Sequence, residues 1–387
     1  MLVPHTGGLP ESRDDDGVVV RSFRYAPTRA EVLGYGRSLH ADERLRLGAG
    51  AVAPLYAAGL YRALRRELRS TPFDLVHAHW IVPNGLVAAL PGALRGVPLA
   101  IGLHGSDVFL AERRGLRALA RRTLGRARLL TGCSPELVDR VRALAAGAGD
   151  GDGDRVTRVI PYGVDAETFR PDPGRRRLWR QRLGIPEGAV VVLGLGRMAT
   201  KKGFQVLVEG LPALFDGRPA DALHVVLAGD GDRRRQLEES CRRFGGRVHF
   251  PGAVARDTLP DLYRAADLFV LPAVHDSQGN VDGLPNVILE AMASGLPVVA
   301  TRVSGIPLAV TPGCEGELVP EGDPQALVAA LRGLVDSAES RRRAGRAGRA
   351  KATTELTWEA VAARYREAYG AALGDAQPAE EPAKRSG

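Results

Sequence analysis

The stretch VDGLPNVILEAMASGLPVVAT, residues 281–301, decides the fold. Its apolar residues first recur at the spacing of a helix, over residues 284–294, and then form a short continuous run at 297–300 that is typical of a buried strand. Asp282 is placed to cap this helix, and Pro285 suits its first turn. A helix that leads directly into a buried strand is the repeating unit of α/β folds with parallel sheets.

The same alternation of apolar runs and helical periodicity extends along most of the chain and predicts the α/β class. Strands are predicted at 17–23, 73–78, 98–103, 127–131 and 156–160, and in a second series at 190–194, 223–228, 247–250, 268–271 and 297–300. Helices are predicted at 53–69, 114–124, 204–215, 232–244, 259–266, 284–294, 324–337 and 358–373, with Asp323 and Thr357 as the caps of the last two.

The length of 387 residues is sufficient for two domains of ordinary size. Residues 165–186 contain three prolines and an arginine triple, and they interrupt the alternation in the manner of a linker that leads into one more helix. We therefore predict an N-terminal domain at 1–172, a C-terminal domain at 173–356 and a disordered tail at 374–387.

The composition favours an anionic small molecule or an anionic membrane surface as partner, because the formal net charge is +8. Nucleic acid is disfavoured, since aromatic residues make up only 5% of the chain and no stacking motif occurs. Most arginine pairs and triples have a simpler interpretation as solvated helix faces. No stretch approaches the length of a membrane-spanning helix, which predicts a cytoplasmic location.

The segment VVVLGLGRMATKKGF, residues 190–204, predicts a strand that leaves through Gly196 into a turn with Arg197 and Lys202. Glycine lets a ligand approach the backbone, and open α/β domains bind ligands at the carboxyl edge of the sheet. Two cations at that edge suit a diphosphate. A purely structural turn is an equally good interpretation of these residues by themselves.

Glu290 lies in an otherwise apolar helical string, where a carboxylate requires a partner. One interpretation is that it accepts hydrogen bonds from the two hydroxyls of a nucleotide ribose, as in dinucleotide-binding folds. The alternative is an ion pair with a nearby arginine. The backbone amides at the start of the same helix would meet an anion.

Two segments of the first half place histidines after strands. In IGLHGSDV, residues 101–108, Gly105 would expose His104 and Asp107 could orient it, although a structural histidine is the competing interpretation. In LVHAHWIVPNG, residues 75–85, His77 and His79 share one face, but two histidines without a third ligand are poor support for zinc.

Taken together, these motifs resemble the retaining glycosyltransferases of family four, which have the GT-B architecture and a carboxylate-x7-carboxylate motif. The matching segments are HAHW, HGSDV, VIPYGVDAETFRP, GRMATKKGF, LAGDGDRRRQLE and residues 282–301, in this order over nearly the whole chain. The resemblance implies two Rossmann-like domains that face a central cleft, with the donor bound mainly by the second domain and the acceptor by the first. It also implies that the last helix, residues 357–373, packs back on the first domain.

The family's functional residues are carried over position by position. Arg197 and Lys202 match its diphosphate-binding pair, next to Gly196, and Glu290 matches the carboxylate that holds the donor ribose. Asp282 matches the first carboxylate of the motif, near the donor sugar. His104 matches the histidine beside the reacting sugar. The remaining matches are Gly283 and Leu284 in the loop that meets sugar or phosphate, and His79, Gly105 and Asp107 on the acceptor side.

The implied reaction moves a hexose from a UDP- or GDP-sugar to a carbohydrate or lipid-linked hydroxyl, in polysaccharide or glycolipid assembly, with retention of the anomeric configuration. The resemblance implies no enzyme nucleophile, no cofactor and no metal. Lipid-linked acceptors are common in the family, and with the net charge they suggest peripheral association with the membrane.

The chain departs from the family pattern at three places. Asp282 stands where glutamate is usual, and Leu308 where glutamate is frequent. Family members also begin with a strand, a glycine-rich loop and a helix before a segment like LVPHTGGLP, which here occupies residues 2–10. We therefore expect that the natural product begins upstream, or that the chain is impaired. The alternatives are a GT-B epimerase or phosphorylase, and a protein that binds the nucleotide sugar without turnover.

Overall fold

A computed structural model describes residues 1–6, 8, 10–31, 43–113, 115–146, 155–277 and 279–374. Contacts divide the chain into two compact units. Unit 1 comprises residues 1–131, 140–158 and the segment from 367 onward, and unit 2 comprises residues 132–139 and 159–366. Both contain parallel strands and helices, as the α/β prediction requires.

Two sheets form in the N-terminal part of the chain. The first has the order β1-β3-β2, in which β1 pairs parallel and β2 antiparallel with β3. The second has the order β4-β5-β6-β7. The strands are β1 (Leu2–Pro4), β2 (Ser12–Asp15), β3 (Val18–Phe23), β4 (Val76–His79), β5 (Leu99–Leu103), β6 (Leu129–Gly132) and β7 (Val156–Val159).

The helices of this part surround those sheets and bury their apolar faces. The long α1 packs Tyr56 and Leu60 against Phe23 and Tyr25 of the first sheet, which forms an aromatic cluster with edge-on rings. The helices are α1 (Glu43–Ser70), α2 (Leu86–Ala88), α3 (Ser106–Ala111), α4 (Arg117–Leu124) and α5 (Pro135–Ala145).

Unit 2 contains one six-stranded sheet with the order β10-β9-β8-β11-β12-β13. Its central strands are buried on both faces, as expected for a parallel sheet covered by helices. The order reverses beside β8, and ligand sites of open α/β sheets lie at such a switch point. The strands are β8 (Val190–Leu195), β9 (Leu223–Ala228), β10 (Val248–Gly252), β11 (Leu268–Leu271), β12 (Val298–Thr301) and β13 (Gly316–Val319).

Nine helices follow in the described residues from 155 onward, the last of which ends in the part of the chain assigned to unit 1. They are α6 (Arg176–Leu183), α7 (Phe204–Phe215), α8 (Arg234–Cys241), α9 (Leu259–Ala265), α10 (Asn286–Ala293), α11 (Ile306–Ala309), α12 (Pro324–Val335), α13 (Ala338–Thr354) and α14 (Trp358–Leu373).

All ten predicted strands are present within a few residues of their expected positions, and α7 has the predicted bounds. Asp323 caps α12 by accepting from the Ala326 amide at 2.9 Å, and Thr357 Oγ1 accepts from the Ala360 amide at 3.2 Å, so both predicted caps are confirmed. The short strands β1, β2 and β13 and the helices α2, α3, α5, α11 and α13 were not predicted. The start of the helix predicted at 114 and the tail predicted from 374 lie largely outside the described residues.

The division between the units differs from the boundary predicted near residue 172, because residues 159–172 belong to unit 2. Side chains of unit 2 fix this segment through its backbone: Arg349 Nη1 donates to the carbonyls of Ala166 and Phe169, and Arg264 Nη2 donates to that of Thr168. The segment is therefore an integral part of unit 2 and not a free linker.

Arg180 ties the following helix, α6, to the sheet. Its side chain is 1% exposed and its Nη2 donates to Asp267 at 2.7 Å. Its other nitrogens donate to four backbone carbonyls, those of Ala265, Pro186, Glu187 and Ala189. Arg180 is thus a core residue, although arginine is among the residue types that are least often fully buried.

Candidate functional site

The turn after β8 brings the predicted phosphate-binding residues to the carboxyl edge of the unit 2 sheet. Gly196 has φ +151°, and a Cβ there would lie 3.3 Å from Cε of Lys202, so the lysine side chain runs along the glycine backbone. Gly203 has φ +71°, and a Cβ there would lie 1.6 Å from the Pro272 carbonyl oxygen. Only glycine fits at 203, and its fit fixes the direction in which Lys202 leaves the turn.

Asp282 lies between two lysines of that turn. Its Oδ1 is 2.6 Å from Lys201 Nζ, and its Oδ2 is 2.7 Å from Lys202 Nζ. Burial acts to raise the pKa of this carboxyl, but the attraction of Lys202 and Lys201 outweighs it and holds the pKa below its ordinary value. Asp282 is therefore an anion that is fully engaged by two cations.

The prediction that Asp282 caps the following helix is wrong. The helix α10 begins at Asn286, its N-cap position is Pro285, and no side chain caps it. The ammonium groups of Lys201 and Lys202, in the turn after β8, attract the Asp282 carboxylate more strongly than the backbone amides at the start of α10 could. Gly283 and Leu284 are both buried, and the Gly283 carbonyl accepts from the Gly305 amide at 2.6 Å, which fixes the loop before α10.

Arg197 does not contact Asp282 in this arrangement. Its nearest carboxylate is that of Asp232, with 3.9 Å between Nη2 and Oδ1, and both side chains are well exposed. Such a pair contributes little, so the guanidinium is available to a ligand.

Glu290 has a tyrosine as its partner. Tyr263, which is fully buried, donates its hydroxyl to Glu290 Oε2 at 2.7 Å. Within the described part of the chain no arginine forms an ion pair with Glu290, so the alternative of a structural Arg–Glu pair is wrong. Burial raises the pKa of Glu290, against the opposing effects of the Tyr263 hydrogen bond and of the Arg256 charge.

Unit 1 brings the predicted acceptor-side histidines together at the ends of β4 and β5. His79 Nδ1 lies 2.9 Å from His104 Nε2, and the His77 ring stacks on His79 with 4.5 Å between centroids. His77 Nδ1 in turn lies 2.7 Å from the Tyr369 hydroxyl. A Cβ on Gly102 would lie 2.9 Å from His77 Nε2, so the absence of a side chain there makes room for the cluster.

Asp107 orients the loop of His104 and not its ring. Its two carboxylate oxygens accept from the backbone amides of His104, at 3.0 Å, and Ile81, at 3.2 Å. Gly105, with φ +111°, precedes the first residue of α3 and is buried. The prediction that Asp107 orients His104 thus needs a correction, since both carboxylate oxygens accept from backbone amides and fix the loop that carries the ring.

The histidine cluster is held neutral. Desolvation lowers the pKa of His77 to about 3, with repulsion from His79 and His104 acting in the same direction. Desolvation, followed by repulsion from His104, lowers the pKa of His79 to about 4, although Asp107 opposes it, and burial lowers the pKa of His104 as well. A neutral ring can accept a hydrogen bond from a sugar hydroxyl.

These pKa values predict a loss of stability in mild acid. The unfolded chain binds a proton at His77 near the ordinary pKa of 6.5, whereas the folded chain does so only near 3. Between these values the unfolded state holds more protons, so stability falls as the pH falls. We expect the wild type to lose about 2 kcal/mol more than the variant His77→Asn between about pH 6.5 and pH 4.5. Denaturant unfolding at a series of pH values measures this difference, and parallel curves for the two proteins would contradict it.

Two residues of the site were not singled out from the sequence. The motif after β8 contains Lys201 but did not indicate a role for it, and no sequence feature indicated a role for Tyr263. The doubled lysine before Gly203 was an available signal for the first. No sequence signal existed for Tyr263, because a tyrosine in a short amphipathic helix gives no indication of a partner 27 positions later.

Among the described residues, no three His, Cys, Asp or Glu side chains are grouped so that they could hold a metal ion. In the same residues, no helix has both the length and the apolar character needed to cross a membrane.

Comparison with known families gives two matches. The family described as Glycosyltransferase Family 4 matches residues 12–168, and that described as Glycosyl transferases group 1 matches residues 189–337. A D-inositol 3-phosphate glycosyltransferase of Corynebacterium glutamicum is 32% identical over 337 residues, which cover 83% of this chain and 77% of the relative. A putative teichuronic acid biosynthesis glycosyltransferase of Bacillus subtilis, TuaC, is 30% identical over 74% of this chain and 72% of its own length.

Solved structures show the same fold. The sucrose-phosphate synthase of Thermosynechococcus elongatus superposes with a TM-score of 0.74 at 22% identity, over 97% of this chain and 89% of that one. Anabaena HepE in complex with UDP superposes with a TM-score of 0.67 at 22% identity, over 90% of this chain and 85% of that one. The chain therefore belongs to glycosyltransferase family four, the group 1 glycosyltransferases, and is a glycosyltransferase with the GT-B fold.

Proposed function

We propose that the protein transfers a hexose from a UDP- or GDP-sugar to a hydroxyl acceptor with retention of the anomeric configuration. The observation that supports this most is the group of cations at the end of β8, with Lys202 held against the Gly196 backbone and Arg197 paired only weakly, at 3.9 Å, with the exposed Asp232. Cations of this kind stabilise the charge that develops on a departing diphosphate.

In this proposal the nucleoside binds to unit 2. Glu290 accepts from the ribose hydroxyls, and the Tyr263 hydroxyl, which donates to Oε2, sets the orientation of its carboxylate. HepE, a fold relative, is described in complexes with UDP and with UDP-glucose, which supports a uridine donor. Guanosine diphosphate sugars remain the second donor class.

The transfer step breaks the bond between the anomeric carbon and the diphosphate oxygen, and the bonding electrons remain on that oxygen. Arg197 and Lys202 stabilise the resulting negative charge. The acceptor oxygen bonds to the anomeric carbon on the face that the diphosphate leaves, and its proton passes to the departing phosphate oxygen. No enzyme nucleophile takes part, so catalysis consists of charge stabilisation and placement of the acceptor.

Neutral His104 accepts a hydrogen bond from the reacting sugar. His79 fixes the His104 ring through the 2.9 Å contact between Nδ1 and Nε2, and Asp107 fixes its backbone. We further propose that the acceptor is a carbohydrate or lipid-linked hydroxyl of polysaccharide or glycolipid assembly, reached in the cytoplasm or at the inner face of the membrane. Because one relative is named for inositol phosphate and another for teichuronic acid, acceptors of both kinds are included in the test.

Thermal unfolding in the presence of UDP, GDP, ADP and CMP tests the donor class first. A ligand that binds only the folded state at about 100 times its Kd stabilises it by roughly 2.7 kcal/mol. We expect one of UDP and GDP to raise the melting temperature, by several degrees, and the other nucleotides to have little effect. No response to any nucleotide would contradict the proposal.

Turnover is then measured with the selected sugar nucleotide in the presence of EDTA, with inositol phosphate, lipid-linked and oligosaccharide acceptors. NMR of the product reports the anomeric configuration. Conversion of the donor without acceptor would show an epimerase, and donor binding without turnover on any acceptor would show a protein that only binds the nucleotide. Loss of activity in EDTA would contradict metal independence.

A further inference from the structure

Lys201 and Lys202 share a single carboxylate. Each oxygen of Asp282 has its own ammonium partner, at 2.6 Å and 2.7 Å, and the two lysines are adjacent in one turn. Neither oxygen contacts an ammonium of any other lysine in the described part of the chain. The two cations are therefore satisfied by an anion of the protein itself, at the place where the proposed function puts an anion of the substrate.

The three side chains are protected but accessible. Their exposed fractions are 34% for Lys201, 13% for Lys202 and 22% for Asp282. Even Lys202, the least exposed of the three, is more exposed than Arg180, which is 1% exposed in its ion pair with Asp267. A ligand can thus reach all three groups without unfolding the turn.

The charges of the site match a diphosphate only if Lys201 is included. Arg197, Lys201 and Lys202 supply three positive charges and Asp282 removes one, which leaves two. A nucleoside diphosphate sugar has two negative charges on its phosphates. Without Lys201 the sum would be one, and the diphosphate would be half compensated in a partly desolvated site, which is costly.

We propose that Asp282 is an internal counterion which the donor diphosphate displaces, and that Lys201 is a third diphosphate-binding cation. Before the donor binds, the carboxylate occupies both ammonium groups. The phosphate oxygens then replace it on Lys201 and Lys202, and the freed carboxylate accepts a hydrogen bond from a hydroxyl of the donor sugar. The inference rests on the proposed function and adds a residue and a binding order to it.

Displacement of Asp282 by the donor phosphates leads to an unusual prediction for nucleotide affinity. Because Asp282 competes with phosphate, the variant Asp282→Asn should bind UDP or GDP, whichever stabilises the wild type, about tenfold more tightly. Lys201→Gln should bind it about tenfold more weakly. Both should bind the free nucleoside as the wild type does, because the nucleoside has no phosphate. Isothermal titration calorimetry at constant ionic strength measures the affinity of both ligands for the wild type and the two variants.

Measurement of turnover distinguishes two roles of Asp282, a counterion that the donor displaces and a carboxylate that only repels the phosphates. We expect Asp282→Asn to lower kcat while it tightens nucleotide binding, since the amide is a poorer partner for the sugar hydroxyl. Asp232→Asn is the matched control, because Asp232 is exposed and 3.9 Å from Arg197. The affinity of this variant for the nucleotide should stay within about twofold of that of the wild type. Thermal unfolding of each variant verifies the fold, and Lys201→Met provides a second test of that position.

Three results are decisive. Tighter nucleotide binding by Asp282→Asn with weaker binding by Lys201→Gln supports the inference. Unchanged or weaker binding by Asp282→Asn in a folded protein overturns it, and leaves the proposed function standing if the wild type binds and turns over the donor. A wild type that binds neither UDP nor GDP would overturn the proposed function itself, and the inference with it.

Discussion

Replacement of Lys202 by alanine is expected to lower kcat/KM for transfer by about 10²–10³-fold, the range found when one charge-stabilising group of an active site is removed. Lys202 is the least exposed of the cations at the end of β8, and its side chain is confined by Gly196. Its charge therefore acts on the leaving diphosphate with little screening by water. Steady-state kinetics with the selected sugar nucleotide measures the loss.

Arg235→Ala is the matched control for this prediction. Arg235 is 91% exposed and pairs with Glu239 along α8, at 2.9 Å. It contributes to the net charge of unit 2 but not to the site, so its removal should leave kcat/KM within about twofold. Equal losses in the two variants would show that Lys202 acts through the overall charge of the protein. A Lys202→Ala enzyme with full activity would remove this residue from the mechanism.

The second large effect concerns stability. Gly203→Ala would place a methyl group 1.6 Å from the Pro272 carbonyl oxygen, which no rotamer can relieve. The turn and the end of β11 must separate, and we expect a loss of more than about 3 kcal/mol, with weakened donor binding because Lys201 and Lys202 move with the turn. Denaturant unfolding and nucleotide titration measure the two effects.

Gly217→Ala isolates the steric part of that loss. Gly217 has φ +68°, almost the same as the +71° of Gly203, but a Cβ there meets nothing within 4 Å. Its replacement should therefore cost only the backbone strain of an alanine in the left-handed region, about 1–2 kcal/mol. If the two variants lost equal stability, the contact with Pro272 would not be the cause.

The part of the fold that the sequence predicts best is unit 2, for a physical reason. Its central strands are buried on both faces and therefore appear as apolar runs, of which β11 is the clearest case. The positions of Arg197, Lys202 and Glu290 follow, because each lies at a known offset from such a strand or from its helix. Those strands, helices and site positions that depend on local periodicity could be predicted from the sequence.

The helix α13 shows what periodicity misses. Its sequence contains Gly345 and Gly348 among arginines and alanines; the alanines and arginines favour a helix, but each glycine disfavours it by about 1 kcal/mol relative to alanine. A Cβ on Gly345 would lie 2.1 Å from the Gly295 carbonyl oxygen, and one on Gly348 would lie 3.5 Å from Met292. These glycines permit close packing of α13 on α10, and the contact that explains them is distant in sequence.

The errors in the site have a common origin. Asp282 and Asp107 were both assigned partners close by in sequence, a helix start and a histidine ring. In the structure Asp282 binds Lys201 and Lys202, about 80 positions away, and Asp107 binds backbone amides. A carboxylate has several donors within reach in a folded chain, and their competition is decided by charge and distance in three dimensions.

The hydrogen bonds of Arg180 determine how the protein can be divided for experiments. A recombinant fragment that starts at the first strand of the sheet in unit 2, Val190, would omit the guanidinium that neutralises Asp267 and occupies four carbonyls. Asp267, half-buried just before β11, would then lose Arg180 and also Arg176, whose Nη2 lies 2.7 Å from its Oδ1. A donor-binding fragment suited to crystallisation or nucleotide titration should therefore begin before α6, with the segment from residue 159 retained.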